Sequence, residues 1–172
     1  PQGFCFRPYQ RGYEREWAAL EYEIGDFGST DEAERYFSDT YLTDEKELSE
    51  RGIFLANERG DIVGSCIAWH GDKDGKPVAV LHWLVVSPRY QGRGLGRALC
   101  RQTLRLFAER GEYPVYLHTQ PWSYKAVLLY LSCGFKLQKT DTFSHYENQY
   151  DLALSALKGI LDDHQYALLL SH

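Results

Sequence analysis

One stretch of 19 residues constrains the fold of this chain more than any other feature. It runs from Leu81 to Leu99 and reads LHWLVVSPRYQGRGLGRAL. An apolar strand comes first, Pro88 ends it, and a glycine-rich turn leads into an amphipathic helix. The first N–H groups of a helix are unpaired and carry partial positive charge, so this turn predicts an anion-binding site.

Glycines at positions 92, 94 and 96 would let the backbone approach an anion without intervening side chains. Two common phosphate-binding motifs do not fit. A P-loop ends in Gly-Lys-Ser/Thr, whereas Gly96 is followed by Arg97 and Ala98. A dinucleotide-binding motif needs G-x-G-x-x-G, whereas the spacing here is G-x-G-x-G. The remaining alternative is a plain glycine-rich connection between a strand and a helix.

Two segments resemble a known family. Gln91-x-x-Gly94-x-Gly96, after a strand that ends in Val-x-Pro, resembles the pyrophosphate-binding signature of the GNAT superfamily of N-acetyltransferases. Residues 123–135, SYKAVLLYLSCGF, are similar to the family's helix N-x-x-A-x-x-L-Y-x-x-x-G-F. Ser123 departs from that pattern, because the family usually has an asparagine there that contacts the cofactor.

The apolar pattern predicts the element order β, α, α, β, β, β, α, β, α, β. The resemblance covers about residues 4–143 and is strongest over 80–135. It implies a mixed α/β GNAT fold, whose central mixed sheet is flanked by helices and splayed between strands 4 and 5. We expect a single domain over residues 1–172, with a helical C-terminal extension over 147–172.

The same pattern gives approximate bounds for each element. Alternation along the fourth strand puts Val80, His82, Leu84 and Val86 on one face, and Leu81, Trp83 and Val85 on the other. The second helix is expected to begin with Thr30 or Asp31 as its N-cap, and the tail beyond residue 161 to pack loosely. Strands are predicted over 4–9, 53–56, 62–69, 78–86, 114–119 and 135–142, and helices over 14–23, 30–41, from 95 to a stop at Gly111, 123–133 and 150–161.

The resemblance implies that the chain binds acetyl-coenzyme A and transfers its acetyl group directly to a primary amine, without a metal. Backbone groups of the fourth strand would pair with the pantetheine arm, and amides of the turn would hold the pyrophosphate. Arg93 and Arg97 lie beside the turn and are expected to contact the cofactor. The cofactor-binding residues expected on this basis are Leu84, Val85, Val86, Gln91, Gly92, Arg93, Gly94, Leu95, Gly96, Arg97, Ser123 and Tyr130.

Tyr130 occupies the position at which many members of the family carry a tyrosine that donates a proton to the coenzyme A sulfur. A phenol suits this task, because it stays protonated at neutral pH and donates to a thiolate. The alternative is an aromatic residue that only packs, since the chain has 13 tyrosines.

His82 is the first candidate for the general base. Relatives carry a Glu or His on this strand in that role, and an imidazole ionises near neutral pH. The alternative is a half-buried histidine with a satisfied hydrogen bond. His118 on the next strand is the second candidate, and the two would share a water if both faced the cleft.

The net charge of −5 is distributed unevenly. Residues 1–60 hold 7 Lys and Arg against 14 Asp and Glu (net −7), and residues 61–172 hold 12 against 10 (net +2). The lack of a concentrated basic face argues against a nucleic-acid partner. The acidic first third would attract a cationic amine as acceptor. Six carboxylates cluster around the first two helices: Glu21, Glu23, Asp26, Asp31, Glu32 and Glu34.

Other classes are excluded by what the sequence lacks. No apolar run is long enough to span a membrane, and no signal peptide is visible. The four cysteines are scattered without metal-ligand spacing, which favours free thiols in the cytoplasm. We expect a monomer or homodimer. A catalytically inactive acyl-coenzyme A-binding module is the alternative to an enzyme, and the presence of both Tyr130 and His82 favours the enzyme.

Overall fold

Five strands form one mixed sheet in the computed structural model, which describes residues 1–170. Strands β1 to β4 pair antiparallel in chain order, and β5 runs parallel to β4. This arrangement confirms the mixed α/β fold. The strands are β1 (Phe4–Pro8), β2 (Gly52–Asn57), β3 (Ile62–Lys73), β4 (Lys76–Val86) and β5 (Val115–Tyr116); the helices are α1 (Tyr13–Ile24), α2 (Thr30–Tyr41), α3 (Glu45–Arg51), α4 (Leu95–Glu109), α5 (Tyr124–Ser132), α6 (Tyr150–Lys158) and α7 (Asp163–Leu170).

Helices cover both faces of the sheet. On one face, Trp17 of α1 and Phe37 of α2 are fully buried in a cluster with residues of β2, β3 and β4. On the other face, Leu99 and Phe107 of α4 are fully buried in a second cluster, which also contains Tyr130 of α5. Burial of these apolar side chains on both faces is the main stabilising contribution to such a fold.

The structure corrects two details of the first half of the chain. Helix α2 has the predicted bounds, but its N-cap is Ser29, whose side chain accepts a hydrogen bond from the Glu32 amide at 3.1 Å. Ser29 stays extended and so stands outside the helix, whereas Thr30 is already helical. Helix α3 was not predicted, because its seven residues are polar apart from the buried Leu48.

Strands β4 and β5 pair over a very short length. Only two residue pairs join them, Ala79 with Val115 and Val80 with Tyr116. Strand β4 then continues to Val86, paired with β3 alone. The predicted splay between strands 4 and 5 is therefore confirmed.

The strand predicted over residues 135–142 does not form. Phe135 packs on the α4 face of the sheet and Leu137 on a separate cluster with α5. The side-chain amide of Asn148 donates to the backbone carbonyls of Gln138 and Asp141 at 2.8 and 2.9 Å. These bonds satisfy backbone acceptors locally, and the segment folds as an irregular loop beside β5.

The C-terminal tail is better packed than predicted. Leu157, Leu161 and Leu169 are buried in one cluster with Val127 and Leu131 of α5. Helices α6 and α7 therefore cover the outer side of α5. Residues 171–172 of the predicted extension lie outside the described part of the chain. Within residues 1–170, no helix has the length and apolar character needed to cross a bilayer.

A buried guanidinium joins α3 to the connection between α4 and β5. Arg51 is 3% exposed and makes a bidentate ion pair with Glu112, at 2.7 and 2.8 Å. It also donates to Glu47 at 2.8 Å, and Glu47 contacts His70 at 3.0 Å. Hydrogen bonds with His70 and Arg51 lower the pKa of the Glu47 carboxyl, and those from Arg51 lower the pKa of Glu112.

Removing this cation is expected to lower stability. Arg51→Met keeps the side-chain volume but removes the buried guanidinium that Glu47 and Glu112 share, so the free energy of unfolding should fall by about 1–3 kcal/mol. Denaturant unfolding measures this change. Arg59→Met, which removes an exposed cation paired with Asp61, is the control and should change stability little.

The same network predicts a pH dependence. Carboxylates with lowered pKa values stabilise the folded state above their unfolded pKa, and this contribution is lost as the pH falls. Wild-type stability should therefore decline below about pH 4.5, the ordinary value for these glutamates. The decline should be shallower in Arg51→Met. Parallel curves for the two proteins would contradict the assignment.

Candidate functional site

A β-bulge changes the face of the sheet on which the side chains of β4 lie. The register against β3 shifts between Ser65 and Ile67, and Trp83 adopts a left-handed backbone with φ of 46°. His82 consequently contacts Tyr41 on the α1–α2 side, whereas Leu84 packs on the α4 side. The predicted alternation, which put His82 on one face with Leu84 and Val86, is wrong, because a bulge adds one residue to the strand.

His82 is held by a tyrosine that the sequence did not single out. Its Nδ1 lies 2.9 Å from the Tyr41 hydroxyl, and Tyr41 is fully buried. Burial, followed by the charge of His70, lowers the pKa of His82 to about 4. The imidazole is thus neutral at pH 7. Its pKa lies well below the near-neutral range that the sequence suggested. Burial raises the pKa of Tyr41 far above 10, so its hydroxyl keeps its proton.

Tyr130 lies on the opposite side of the splay, on α5. It is 9% exposed and its ring contacts Phe135 edge-on, with centroids 5.8 Å apart. Burial, followed by the charges of Cys66 and Cys100, raises its pKa well above the ordinary value of 10. The phenol is therefore protonated at neutral pH and able to donate.

A cavity of about 520 Å³ opens beside Tyr130. It lies between β5, α5 and the loop that replaces the expected strand, and His118 is also in its wall. The ring of His118 stacks on Tyr146 at 3.8 Å between centroids, and burial and then His145 lower its pKa. His118 and His82 thus make contacts with different groups, Tyr146 and Tyr41 respectively.

The glycine-rich turn is open where an anion would bind. Gly92 and Gly94 both have φ of 76°, and a Cβ added at either would meet no atom within 4 Å. Gly94 is the N-cap of α4, and no side chain caps this end of the helix. The first N–H groups of α4, from Leu95 onward, therefore remain available to a ligand. Leu95 itself is buried and anchors the helix.

Other predicted cofactor residues have structural roles that the sequence did not indicate. A Cβ on Gly96 would lie 2.9 Å from the Leu129 side chain, so this glycine allows α4 and α5 to pack closely. The side-chain amide of Gln91 donates to the Val86 carbonyl at 3.0 Å and fixes the turn against the end of β4. The Ser123 hydroxyl donates to Gln120 at 3.2 Å and does not cap α5.

The remaining predicted residues lie around the turn. Leu84, Val85 and Val86 belong to the part of β4 that β5 does not pair. Arg93 and Arg97 are exposed, and the Arg93 guanidinium lies 5.5 Å from the centre of the Tyr90 ring. The described residues contain no group of three or more His, Cys, Asp or Glu that would hold a metal ion.

The α1 helix contacts the end of β4 through a carboxylate. Glu23 accepts a hydrogen bond from the buried Ser87 hydroxyl at 2.9 Å and lies 3.8 Å from Arg89. Two residues earlier on α1 is a buried acid, Glu21, 1% exposed. The sequence indicated both only as members of an acidic cluster.

Residues 12–135 match the Acetyltransferase (GNAT) family. The chain belongs to this family. The match includes both the glycine-rich turn and α5, and it ends at Phe135.

Curated relatives of this GNAT chain include a mycothiol acetyltransferase from Amycolatopsis mediterranei, 35% identical over 55% of this chain and 33% of the relative. The chain thus matches about a third of the length of that protein. An uncharacterized N-acetyltransferase from Mycobacterium tuberculosis is 34% identical over 64% of this chain and 68% of the relative.

Solved structures confirm the fold. Glucosamine-6-phosphate N-acetyltransferase from Arabidopsis thaliana is 20% identical, with a TM-score of 0.60 over 83% of this chain and 97% of that one. A spermidine N-acetyltransferase variant from Vibrio cholerae is 21% identical, with a TM-score of 0.61 over 87% of this chain and 90% of that one. At these identities the likeness concerns the GNAT fold alone.

An acidic side chain in the turn should weaken coenzyme A binding. Gly94→Glu places a negative charge at the open helix N-terminus, and the dissociation constant should rise at least tenfold, about 1.4 kcal/mol. Isothermal titration calorimetry with coenzyme A measures the effect.

Gly75→Glu is the matched control for this change. Gly75 has the same φ of 76° and the same open surroundings, but it lies in the β3–β4 turn. Both variants therefore carry the same backbone strain and charge. Equal affinities for the two variants would argue against the turn as the anion site.

Proposed function

We propose that this GNAT chain is an acetyl-coenzyme A-dependent N-acetyltransferase that moves an acetyl group directly to a primary amine. The observation that carries the proposal is the placement of two suitable groups on the two sides of the splay. Tyr130, a protonated phenol, belongs to α5 beyond β5, and His82, a neutral imidazole, belongs to β4. The open N-terminus of α4 lies at the end of the same strand.

The residues present fit the cofactor that the family implies. When bound, acetyl-coenzyme A supplies an acetyl group activated as a thioester. The N–H groups at the start of α4, together with Arg93 and Arg97, would hold its pyrophosphate. The unpaired edge of β4 over residues 84–86 would bind the amide groups of its pantetheine arm, as a neighbouring strand would.

We assign the two proton transfers to Tyr130 and His82. Tyr130 donates a proton to the sulfur of coenzyme A as it departs. A thiol ordinarily has a pKa of about 8.5, so the sulfur leaves more readily as a thiol than as a thiolate. His82 accepts the proton of the attacking amine at Nε2. This role requires the tautomer in which Nδ1–H donates to the Tyr41 oxygen. His118, stacked on Tyr146, is the second candidate for the base.

A cationic acceptor fits the charge of the α1–α2 side. The net charge of −7 over residues 1–60 would concentrate an ammonium substrate near the cleft. The name of one fold neighbour includes spermidine, a polyamine, which agrees with this choice. We place the reaction in the cytoplasm, since all four cysteines are free thiols.

A thiol-release assay tests the proposal. The full chain is mixed with acetyl-coenzyme A and a panel of amines: polyamines, aminoglycosides, amino sugars and lysine peptides. Release of free thiol that depends on the amine, with an acetylated product seen by mass spectrometry, is the expected result. Tight coenzyme A binding without transfer to any amine would support the inactive binding module instead.

Removal of the Tyr130 hydroxyl should slow the reaction. Tyr130→Phe keeps the ring packed against Phe135, and kcat should fall by about 10²-fold, the usual scale for loss of a general acid. Affinity for coenzyme A should change little. Tyr124→Phe, on the same helix but packed in the α5–α6–α7 cluster, is the control and should retain the wild-type kcat. If Tyr130→Phe has the same kcat as the wild type, the role of Tyr130 is packing alone.

His82 should titrate in acid and not near neutral pH. Because burial lowers its pKa to about 4, its ring NMR signals should stay those of a neutral imidazole from pH 8 to pH 6. His82→Gln should lower kcat by about 10²-fold while coenzyme A still binds. A titration midpoint between pH 6 and 8 would contradict the buried environment, and an unchanged kcat would move the base to His118.

A further inference from the structure

Glu21 is the one acidic side chain among residues 1–170 that is buried, at 1% exposure. Its Oε1 is buried without a hydrogen-bond partner. A buried carboxyl oxygen that lacks a partner costs free energy, and such a group usually marks a place where a ligand or water binds. The proposed proton transfers make no use of Glu21.

A second carboxyl adjoins Glu21. Asp26, on the short loop between α1 and α2, is tied to the same residue by its backbone, since the Asp26 amide donates to the Glu21 carbonyl at 3.0 Å, and it is exposed to solvent. Burial, followed by the charge of Asp26, raises the pKa of Glu21 well above its ordinary value, and burial raises that of Asp26. Two carboxyls this close favour one shared proton.

Aromatic rings surround this part of α1. Trp17, one turn before Glu21 on the same helix face, has ring centroids 5.7 Å from Phe27 and Trp83 and 6.2 Å from Tyr36. Phe27, Tyr36 and Trp83 are only partly buried. These rings therefore lie against the face of α1 that carries Glu21, and aromatic faces attract ammonium groups.

The position of Glu21 relates it to the proposed chemistry. When ionised, Glu21 contributes to the raised pKa values of Tyr41, Cys66 and Tyr130, after the larger effect of burial in each case. These groups belong to α2, β3 and α5, so Glu21 lies within electrostatic range of both His82's partner and the proposed acid. Phe27 and Asp26 share the loop that follows Gly25, whose φ of 90° turns the chain.

We propose that Glu21 and Asp26 share one proton in the free protein and release it when the ammonium group of the acceptor binds to Glu21. The proton leaves through Asp26 to solvent, and the carboxylate of Glu21 then pairs with the ammonium. The inference rests on the proposed function, since it makes Glu21 the residue that selects a cationic acceptor. The proton balance is one proton released for each ammonium bound, with no bond to carbon formed or broken.

Calorimetric titration of the full chain tests the pair independently of turnover. The probes are 1,4-diaminobutane and spermidine, with 1,4-butanediol as a control of similar length that lacks charge. Titration in phosphate and in Tris, whose heats of ionisation differ, gives the protons exchanged on binding. The wild-type protein should bind the amines and release up to one proton for each amine bound, with the released fraction rising as the pH is lowered toward the pKa of the pair.

Two variants and a control sharpen the result. Glu21→Gln keeps the shape but cannot ionise; it should release no proton and bind the amines at least tenfold more weakly, with coenzyme A affinity unchanged. Glu34→Gln removes the same charge from a residue that pairs with Arg15, and it should behave as the wild type. If Glu21→Gln fails to fold, Asp26→Asn, at an exposed position, should shift proton release to lower pH.

The outcomes separate this inference from the proposed function. Amine binding without proton release, equal release by Glu21→Gln, unshifted release by Asp26→Asn, or no binding of either amine overturns the carboxyl pair. Transfer of acetyl groups in the thiol assay would still support the enzyme. Conversely, proton-linked binding without transfer to any amine supports the ammonium site and overturns the acetyltransferase.

Discussion

The separation of β4 from β5 is the constraint on which the rest of the site depends. Two residue pairs join the strands, after which one edge of β4 has no partner in β5 up to Val86. Backbone donors and acceptors in such a gap need partners, and a ligand with amide groups can supply them. The gap also determines where the functional helices lie, since α4 begins just past the end of β4 and α5 follows β5. The placement of Tyr130 and of the open helix N-terminus therefore follows from one interrupted sheet.

On the α1–α2 side of the sheet, where we propose that the acceptor binds, burial controls protonation more than pairing does. His82 is neutral because it is buried beside Tyr41, and Glu21 holds its proton more firmly because it is buried beside Asp26. Desolvation disfavours the charged form in both cases, which lowers a histidine pKa and raises a carboxyl pKa. A site of this kind presents few net charges when empty. It acquires them only when a charged partner enters and offsets the desolvation cost.

The sequence predicted features that depend on local pattern. The turn from Gln91 to Arg97 and the helix that carries Tyr130 combine apolar periodicity with glycines, and both form as expected. The bulge at Trp83 was not predictable, because a bulky residue rarely adopts positive φ and only tertiary packing holds it there. The strand expected over 135–142 failed for a related reason, since β5 offers too short an edge to pair with it. Glu21 is one of 24 acidic residues in the sequence, and only the fold distinguishes it as buried.

The packing of the C-terminal helices also bears on where the family match ends. That match stops at Phe135, whereas the apolar side of α5 is completed by Leu157, Leu161 and Leu169. A segment cut at the family boundary would expose Val127 and Leu131 to water, on the helix that bears Tyr130. Polar substitutions at Leu157, Leu161 or Leu169 would therefore weaken the packing that holds α5. In this chain, the segment that matches the family therefore ends before the residues that complete the burial of α5.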